Sequence, residues 1–371
     1  MGPAKLTAPR IRELTLDDYP RVRALEAQCG ISTKDCADWR HLWSDNPVYH
    51  QVQDGWPIGW VLETADHGIV GSVCNVPLAY EFEGQPLLVA AGRAWVADSR
   101  FRPYSVLLLE HYFSQTGVDL FLNTTVNHQA AGAFGIFESP RVPAGIWNQS
   151  VFWITGYRGF ARSLLSRSDL PAAGALAWPA SLALRTADVL TSRRSRKDCG
   201  YKLERCRAFD DRFDLFWEEL RRVNHSVLLA RRTRAELEWH FQYALRQGRV
   251  WIWTAISGTR LIAYAIFLRK DQPSHSLKRI RLVDFQTLET DSRILPALLG
   301  CALEQCRVED IHMLEHIGSD TITAALAPLK PRRRRLPSWL YYYKGGRRGL
   351  SEALKNPAAW KPTQFDGDAS L

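Results

Sequence analysis

Two arginines, Arg100 and Arg102, sit with Pro103 and Ser105 between an extended-type segment, Gly92 to Val96, and a helix-patterned one, Ser105 to Phe113. Ala94 and Val96 share a face when the first is extended. Val106, Leu109, Tyr112 and Phe113 recur at three- and four-residue steps in the second. A strand, turn and helix in that order aim backbone N–H groups and the positive end of a helix dipole at one spot, which suits a phosphate. Pro103 has no N–H to offer there, although the first turn of a helix tolerates proline.

Arg100-x-x-Pro103-x-Ser105 resembles the Arg/Gln-x-x-Gly-x-Gly/Ala loop of the GNAT family of acyl-CoA N-acyltransferases. The resemblance implies that this loop holds the pyrophosphate of acetyl-CoA or another acyl-CoA. Val96, Arg100, Arg102, Tyr104, Ser105 and Val106 are then the cofactor-binding positions. Pro103 stands in a glycine slot, and Ser105 in a Gly/Ala slot. Asn123 and Asn127 fall where the family's splayed strand and asparagine-led helix receive the pantetheine arm, so Asn127 joins the set, although an asparagine there also serves as an ordinary helix cap. Many family members carry a tyrosine acid seven residues after the second asparagine. Here that position is Phe134, which cannot protonate a thiolate.

Acyl transfer from a thioester to an amine requires a neutral amine, a polarised carbonyl and a thiolate free to leave. Side chains able to take the amine proton are Glu81 and Glu83, two apart on one strand face, together with Glu138 and His128. Glu138 and Asn123 are put forward as the catalytic pair. The backbone from Ala94 to Val96 would polarise the carbonyl, as the resemblance implies.

The chain has 371 residues, 46 % of them hydrophobic and 23 % charged, with net charge +9. That is a soluble, globular composition with a preference for anionic partners. Seven scattered cysteines form no C-x-x-C pair, so neither a metal site nor a disulfide framework is expected. No secretory signal is read at Met1, and a cytoplasmic location follows as the expectation, with the inner-membrane surface as a peripheral option. Gly156 to Ser166 is basic and amphipathic, and Arg193-Arg194-Ser195-Arg196-Lys197 is a cationic run, so an anionic bilayer is a candidate partner. DNA is not expected.

Short apolar runs give a β-α-β-β-β-loop-α-β order over the first 123 residues, which is the GNAT order. Ile11–Leu14 starts it, Thr15 and Asp18 resemble a capping box, and Val22, Ala24 and Leu25 point inward on the first helix. Separate strands are expected at Trp60–Thr64, Ile69–Val76, Tyr80–Phe82 and Leu87–Val96. Phe137–Trp153 is expected to supply the last strands of this domain. From Tyr201 the plan repeats, and Tyr341–Tyr343 is expected as the final strand of the second unit. The fold class is therefore α/β (α+β): two tandem GNAT-like domains, each a mixed, mostly antiparallel sheet flanked by helices. They span 1–165 and 201–371, with an Ala/Pro-rich basic linker over 166–200 carrying a helix at Leu182–Leu190.

The second unit's loop, Thr287 to Arg293, holds Glu289 and Asp291, which would repel a pyrophosphate. Trp360-Lys361-Pro362-Thr363 and Phe365-Asp366-Gly367-Asp368 resemble the C-terminal ends of tandem GNAT-like proteins encoded with bacterial exopolysaccharide and cell-surface glycan systems. An amine on a sugar, a lipid-linked glycan or a small metabolite is accordingly the expected acceptor. Two alternatives stay open: a FemAB-like transferase, whose donor would be aminoacyl-tRNA, and a catalytically degenerate GNAT pair acting as a scaffold in a surface-polysaccharide pathway.

Overall fold

The computed structural model describes residues 7–52, 54–145, 147–166, 178–186, 199–347 and 349–371. Its strands are β1 (Arg10–Glu13), β2 (Gly59–Thr64), β3 (Gly68–Phe82), β4 (Gln85–Ala97), β5 (Leu120–Val126), β6 (Gln149–Ile154) and β7 (Lys202–Cys206), followed by β8 (Leu229–Ala230), β9 (Val250–Ser257), β10 (Arg260–Arg269), β11 (Arg279–Thr287), β12 (Met313–Ile317), β13 (Arg332–Arg335) and β14 (Leu340–Gly345). They form two mixed sheets, ordered β1-β2-β3-β4-β5-β14 and β13-β6-β12-β11-β10-β9-β7, with β8 paired to β3. Helices flank both.

The two sheets repeat one plan. β1 to β5 correspond to β7, β9, β10, β11 and β12, and in each sheet the parallel pair (β4 with β5, β11 with β12) brackets a helix. Each sheet then takes its next strand from the other half of the chain. β6 lies between β12 and β13 in the second sheet, and β14 pairs with β5 in the first. This corrects two expectations: Phe137–Trp153 does not complete the first sheet, and Tyr341–Tyr343 does not complete the second. Tyr341 of β14 is buried in a cluster with Trp39, Trp43, Trp217 and Trp239, whereas Val151 and Ile154 of β6 are buried in two other clusters.

Local chemistry explains the early elements. The Thr15 N–H and hydroxyl both donate to Asp18 Oδ2 at 3.0 Å, which closes the expected box. In the helix Tyr19–Gln28, Val22 and Leu25 are buried, but Ala24 is exposed and Glu26 is buried in its place. A 3.6-residue period places 22, 25 and 26 on one face and 24 on the opposite one.

β3 is one strand of 15 residues rather than two. Pro77 does not break it, because β2 ends opposite Cys74 and leaves that side of Pro77 without a ladder partner. Glu83 and Gly84, both at positive φ, turn β3 directly into β4.

The asparagine-led helix after β5 spans Ala131–Ile136. The basic segment is a helix at Tyr157–Ser166, and residues 178–186 are helical. The remainder of the expected linker helix, 187–190, and the run from Arg193 to Lys197 lie outside the described residues. No helix among the described residues is long and apolar enough to cross a membrane.

Candidate functional site

β4 and β5 pair in parallel only from Val89/Leu120 to Ala91/Leu122. Beyond that rung β4 stays with β3 while β5 continues along β14, so the sheet opens between Gly92–Ala97 and Asn123–Val126. Two features of β4 belong to this opening. The register against β3 slips by one residue, so Ala94 and Trp95 bulge opposite Val73, and Ala94 takes φ +52°. Left-handed backbone costs a non-glycine residue roughly 1–2 kcal/mol, and bulges release a strand's backbone groups from the ladder. At the base of the gap, a Cβ on Gly92 would lie 2.3 Å from Asn123 Oδ1, so only glycine fits there. The Tyr112 hydroxyl donates to the Ala90 carbonyl at 2.7 Å and lies 3.2 Å from that of Leu122, tying the last rung together. Burial pushes its pKa up.

A cavity of about 770 Å³ occupies the gap, walled by Trp95, Val96, Ala97, Ser105, Asn127 and Ala133 among others. That volume is ordinary for a small-molecule site. Of the sequence-derived residues, Val96, Arg102, Ser105 and Asn127 line it. Arg102 is exposed at the rim, and its guanidinium makes no hydrogen bond or ion pair among the described residues. Ser105 closes the 3-10 turn Ser99–Ser105 by donating its hydroxyl to the Arg102 carbonyl at 2.7 Å, and its own carbonyl accepts from the Trp95 indole at 3.0 Å. Asn127 Oδ1 accepts the Ala130 N–H at 2.8 Å, so it caps the next turn while facing the cavity.

The other positions are placed elsewhere. Arg100 folds back onto Asp98, with its Nε 3.1 Å from Oδ1 and Nη2 3.2 Å from Oδ2. It faces a neighbouring hollow of about 340 Å³ beside Arg21 and His67. Hydrogen bonds from the Arg100 side chain and backbone hold Asp98 down to about 2, and Asp98 itself takes the Arg100 N–H that a phosphate would otherwise use. Tyr104 packs half-buried against the apolar cluster under the gap, and Val106 begins the helix Val106–Phe113. Glu138 is exposed, at φ +53°, just beyond the helix Ala131–Ile136. Asn123 sits at the base of the gap, where its Nδ2 is buried without a partner. Phe134 is buried, stacked on Tyr342 with ring centres 4.8 Å apart.

An open parallel pair, a bulged strand feeding an arginine loop, and a helix returning beneath it occur twice in the chain. The chain has the GNAT fold. It superposes on a GCN5-related N-acetyltransferase from Anabaena variabilis with TM-score 0.52 and 12 % identity, covering 91 % of this chain and 72 % of that one. Saccharomyces cerevisiae N-myristoyltransferase with bound myristoyl-CoA superposes with TM-score 0.58 and 10 % identity, covering 93 % and 80 %. A GCN5-related N-acetyltransferase from Kribbella flavida gives TM-score 0.55 and 10 % identity, covering 91 % and 71 %. No family model and no curated protein matches the sequence.

Within this fold the second half differs where it matters. β11 and β12 pair from Arg279/Met313 to Leu282/His316, and beyond that rung the C-terminal segment enters. Gln364 Nε2 donates to the Leu282 and Ile317 carbonyls at 3.2 and 3.3 Å, and the Phe365 N–H donates to the Val283 carbonyl at 3.1 Å. Thr363 and Asp366 complete a buried cluster around Arg232, whose Nε is 3.0 Å from Asp284 Oδ2. Burial opposes the Arg232 charge, but Asp284 and Asp366 outweigh it and raise its pKa.

The same segment carries a residue that sequence reasoning did not single out for chemistry. The half-buried Asp368 accepts a short hydrogen bond from Thr124 Oγ1 at 2.5 Å and a longer one from Thr125 Oγ1 at 3.3 Å, both on the open stretch of β5. Burial raises its pKa, with Arg93 of β4 opposing. Gly367, at φ +71°, delivers it there, and a Cβ on that residue would meet Thr124 at 2.4 Å.

Proposed function

We propose that the protein is an acyl-CoA-dependent N-acyltransferase whose donor occupies the gap between β4 and β5. The observation that carries this reading is the opening itself: a parallel pair that parts at a glycine, beside a strained bulge, onto a cavity of about 770 Å³. Arg102 would meet the pyrophosphate, and Ser105 and Asn127 would flank the pantetheine arm. Backbone groups freed at the bulge would polarise the thioester carbonyl. The orphaned Asn123 Nδ2 offers one further donor at the base.

In the reaction, the acceptor nitrogen bonds to the carbonyl carbon, the carbon–sulfur bond breaks, and coenzyme A leaves as thiolate. Asp368 would take the amine proton, since a raised carboxylate pKa brings it nearer to that of its donor. The acceptor is an amine on a sugar, a lipid-linked glycan or a small metabolite; acetyl is the acyl group first to be tried. Exposed Arg158 and Arg162 on the helix Tyr157–Ser166 would suit a peripheral contact with an anionic bilayer, which sedimentation with anionic vesicles tests.

Calorimetric titration with acetyl-CoA and a longer acyl-CoA decides the main point. Saturable binding that weakens about tenfold in Arg102→Ala, a loss of ~1.4 kcal/mol, supports the reading. Failure of both thioesters to bind would sink it. A second reading, binding without transfer, is favoured by Phe134 at the family's tyrosine position; it predicts tight acyl-CoA binding with no thiol release in the presence of any amine.

A further inference from the structure

The gap is bulged on both of its edges. On β4 the bulge falls at Ala94 and Trp95, opposite Val73. On β5 the pairing with β14 runs Asn123/Tyr342 and then Val126/Leu340, so Thr124 and Thr125 together face the single residue Tyr341. Consecutive residues of a regular strand point to opposite faces, and a bulge re-aims them. Here both hydroxyls reach one carboxylate. Thr124 Oγ1 donates to Asp368 Oδ1 at 2.5 Å, and Thr125 Oγ1 to Oδ2 at 3.3 Å.

Thr124 is held from behind and meets the C-terminal segment twice. Its carbonyl accepts the Trp147 indole N–H at 3.3 Å, and Trp147 is itself buried, with its ring 5.1 Å from that of Tyr341. The Thr124 hydroxyl takes Asp368, while its methyl group closes on Gly367, where a Cβ would lie 2.4 Å from Thr124 Cγ2. On the far side of the carboxylate, the Asp368 carbonyl accepts the Leu371 N–H at 3.2 Å.

The charges around Asp368 are largely engaged elsewhere. Arg93 of β4 acts on it, but the Arg93 guanidinium also meets the buried Glu26 at 3.4 Å. Asp366, two residues back, is paired with Arg232. Tyr112 at the last rung and Tyr341 on β14 stay neutral at neutral pH, since burial pushes both phenols up. A hydroxyl that donates to a carboxylate favours its charged form, so the two threonines work against the burial that raises Asp368.

We propose that Thr124 is a positioning residue for acyl transfer: its hydroxyl fixes the Asp368 carboxylate at the edge of the gap, where that carboxylate receives the proton of the acceptor amine. Each carboxylate oxygen accepts one threonine hydroxyl and keeps a second lone pair for that proton. The role in transfer rests on the acyltransferase reading; the grip on the carboxylate does not.

The test separates the hydroxyl of Thr124 from its methyl group. Thr124→Val keeps the shape and loses the donor, and Thr124→Ser keeps the donor and loses the methyl; thermal melting checks that both fold. In the full chain the Asp368 carboxyl resonance is followed by carbon NMR against pH and assigned with Asp368→Asn. Thiol release from acetyl-CoA is measured over the same range, with glucosamine as the amine. Thr124→Val is expected to raise the Asp368 pKa and to move the acidic limb of thiol release upward by the same interval. Its plateau rate should fall about tenfold while acetyl-CoA affinity stays unchanged. Thr124→Ser should behave as the unaltered chain in both readouts, and Thr125→Val should follow Thr124→Val to a smaller extent.

An Asp368 that titrates alike in Thr124→Val and the unaltered chain would overturn the proposal. So would a Thr124→Ser that behaves as Thr124→Val, because packing rather than the donor would then matter. A resonance that moves while the acidic limb stays would end the role in transfer and leave the grip standing. Failure of the unaltered chain to bind acetyl-CoA would instead end the acyltransferase reading, and the resonance shift, which needs no substrate, would still report the grip.

Discussion

The two halves carry the same device and use it differently. Asp98-Ser99-Arg100-x-x-Pro103 and Asp291-Ser292-Arg293-x-x-Pro296 are one motif written twice, each after the strand that opens its parallel pair. In both, the aspartate takes the arginine N–H, at 2.9 Å, and then the arginine side chain. The paired aspartate and arginine therefore do not distinguish the halves; Arg102, opposite Leu295 in the second loop, and what enters the gap behind the loops do. In the first half Asp368 touches Thr124 and Thr125 beyond Ala91/Leu122, and the cavity beside them stays open among the described residues. In the second, Gln364 and Phe365 occupy the carbonyls that a ligand would otherwise approach. One half keeps an open gap, and the segment that plugs the other carries Asp368 to Thr124 and Thr125 at its edge.

Four perturbations break or sharpen that contrast. Arg232→Ala removes the cation around which the plug is buried, leaving Asp284 and Asp366 uncompensated. A loss of about 3–5 kcal/mol in unfolding free energy is expected from denaturant titration, and a change within 1 kcal/mol would mean the plug is not held this way. Asp368→Asn should lower acyl transfer by about 100-fold while acyl-CoA affinity stays the same.

The pH profile of the unaltered protein follows from the same group. As the proposed base Asp368 would work ionised, and its pKa is raised, so activity should fall on acidification with an inflection above the ordinary aspartate value of about 3.9. Its stability term has the opposite sign. A carboxyl whose pKa is raised by folding stabilises the fold while protonated, and that contribution is lost as pH rises through the folded value.

Arg102→Ala and Arg293→Ala remove one loop arginine from each half, Arg293 aligning with Arg100 and Arg102 with Leu295. The first should weaken acyl-CoA binding about tenfold, and the second should leave it unchanged; equal effects would erase the distinction between the halves. Thr15→Ala, which removes one side of the capping box at the first helix, should cost about 1 kcal/mol in thermal or chemical unfolding and nothing in binding.

Much of the architecture was readable because it is local. The apolar spacing of Phe213, Phe216, Trp217 and Leu220, or of Ile294, Leu295, Leu298 and Leu299, buries those residues as the period predicts. The capping box at Thr15 and the β9–β10 hairpin were legible for the same reason. The strand exchange was not, since β6 and β14 are both aromatic-rich and neither carries a local mark of the sheet it joins. β3 was expected as two strands, Ile69–Val76 and Tyr80–Phe82, and it is β2's endpoint, invisible in the sequence, that lets Pro77 sit between them without a break.

Glu289 and Asp291 pointed to an inactive second loop through charge repulsion. Yet Asp291 is neutralised by Arg293 in the same manner as Asp98 by Arg100, and the physical obstacle is the plug. Asp368 lies 244 residues from Thr124, beyond the reach of any spacing argument. The repeated Asp-Ser-Arg-x-x-Pro was the one sequence signal that would have aligned the halves directly.

The central claim is that this chain holds one open gap and one closed one. The stoichiometry of acyl-CoA binding, measured by calorimetry on the full chain and on Gly92→Val with its thermal melting as a fold check, addresses it most directly. The account predicts one acyl-CoA per chain, lost in a folded Gly92→Val because the added side chain meets Asn123. Two equivalents per chain, or one that survives in Gly92→Val, would contradict it.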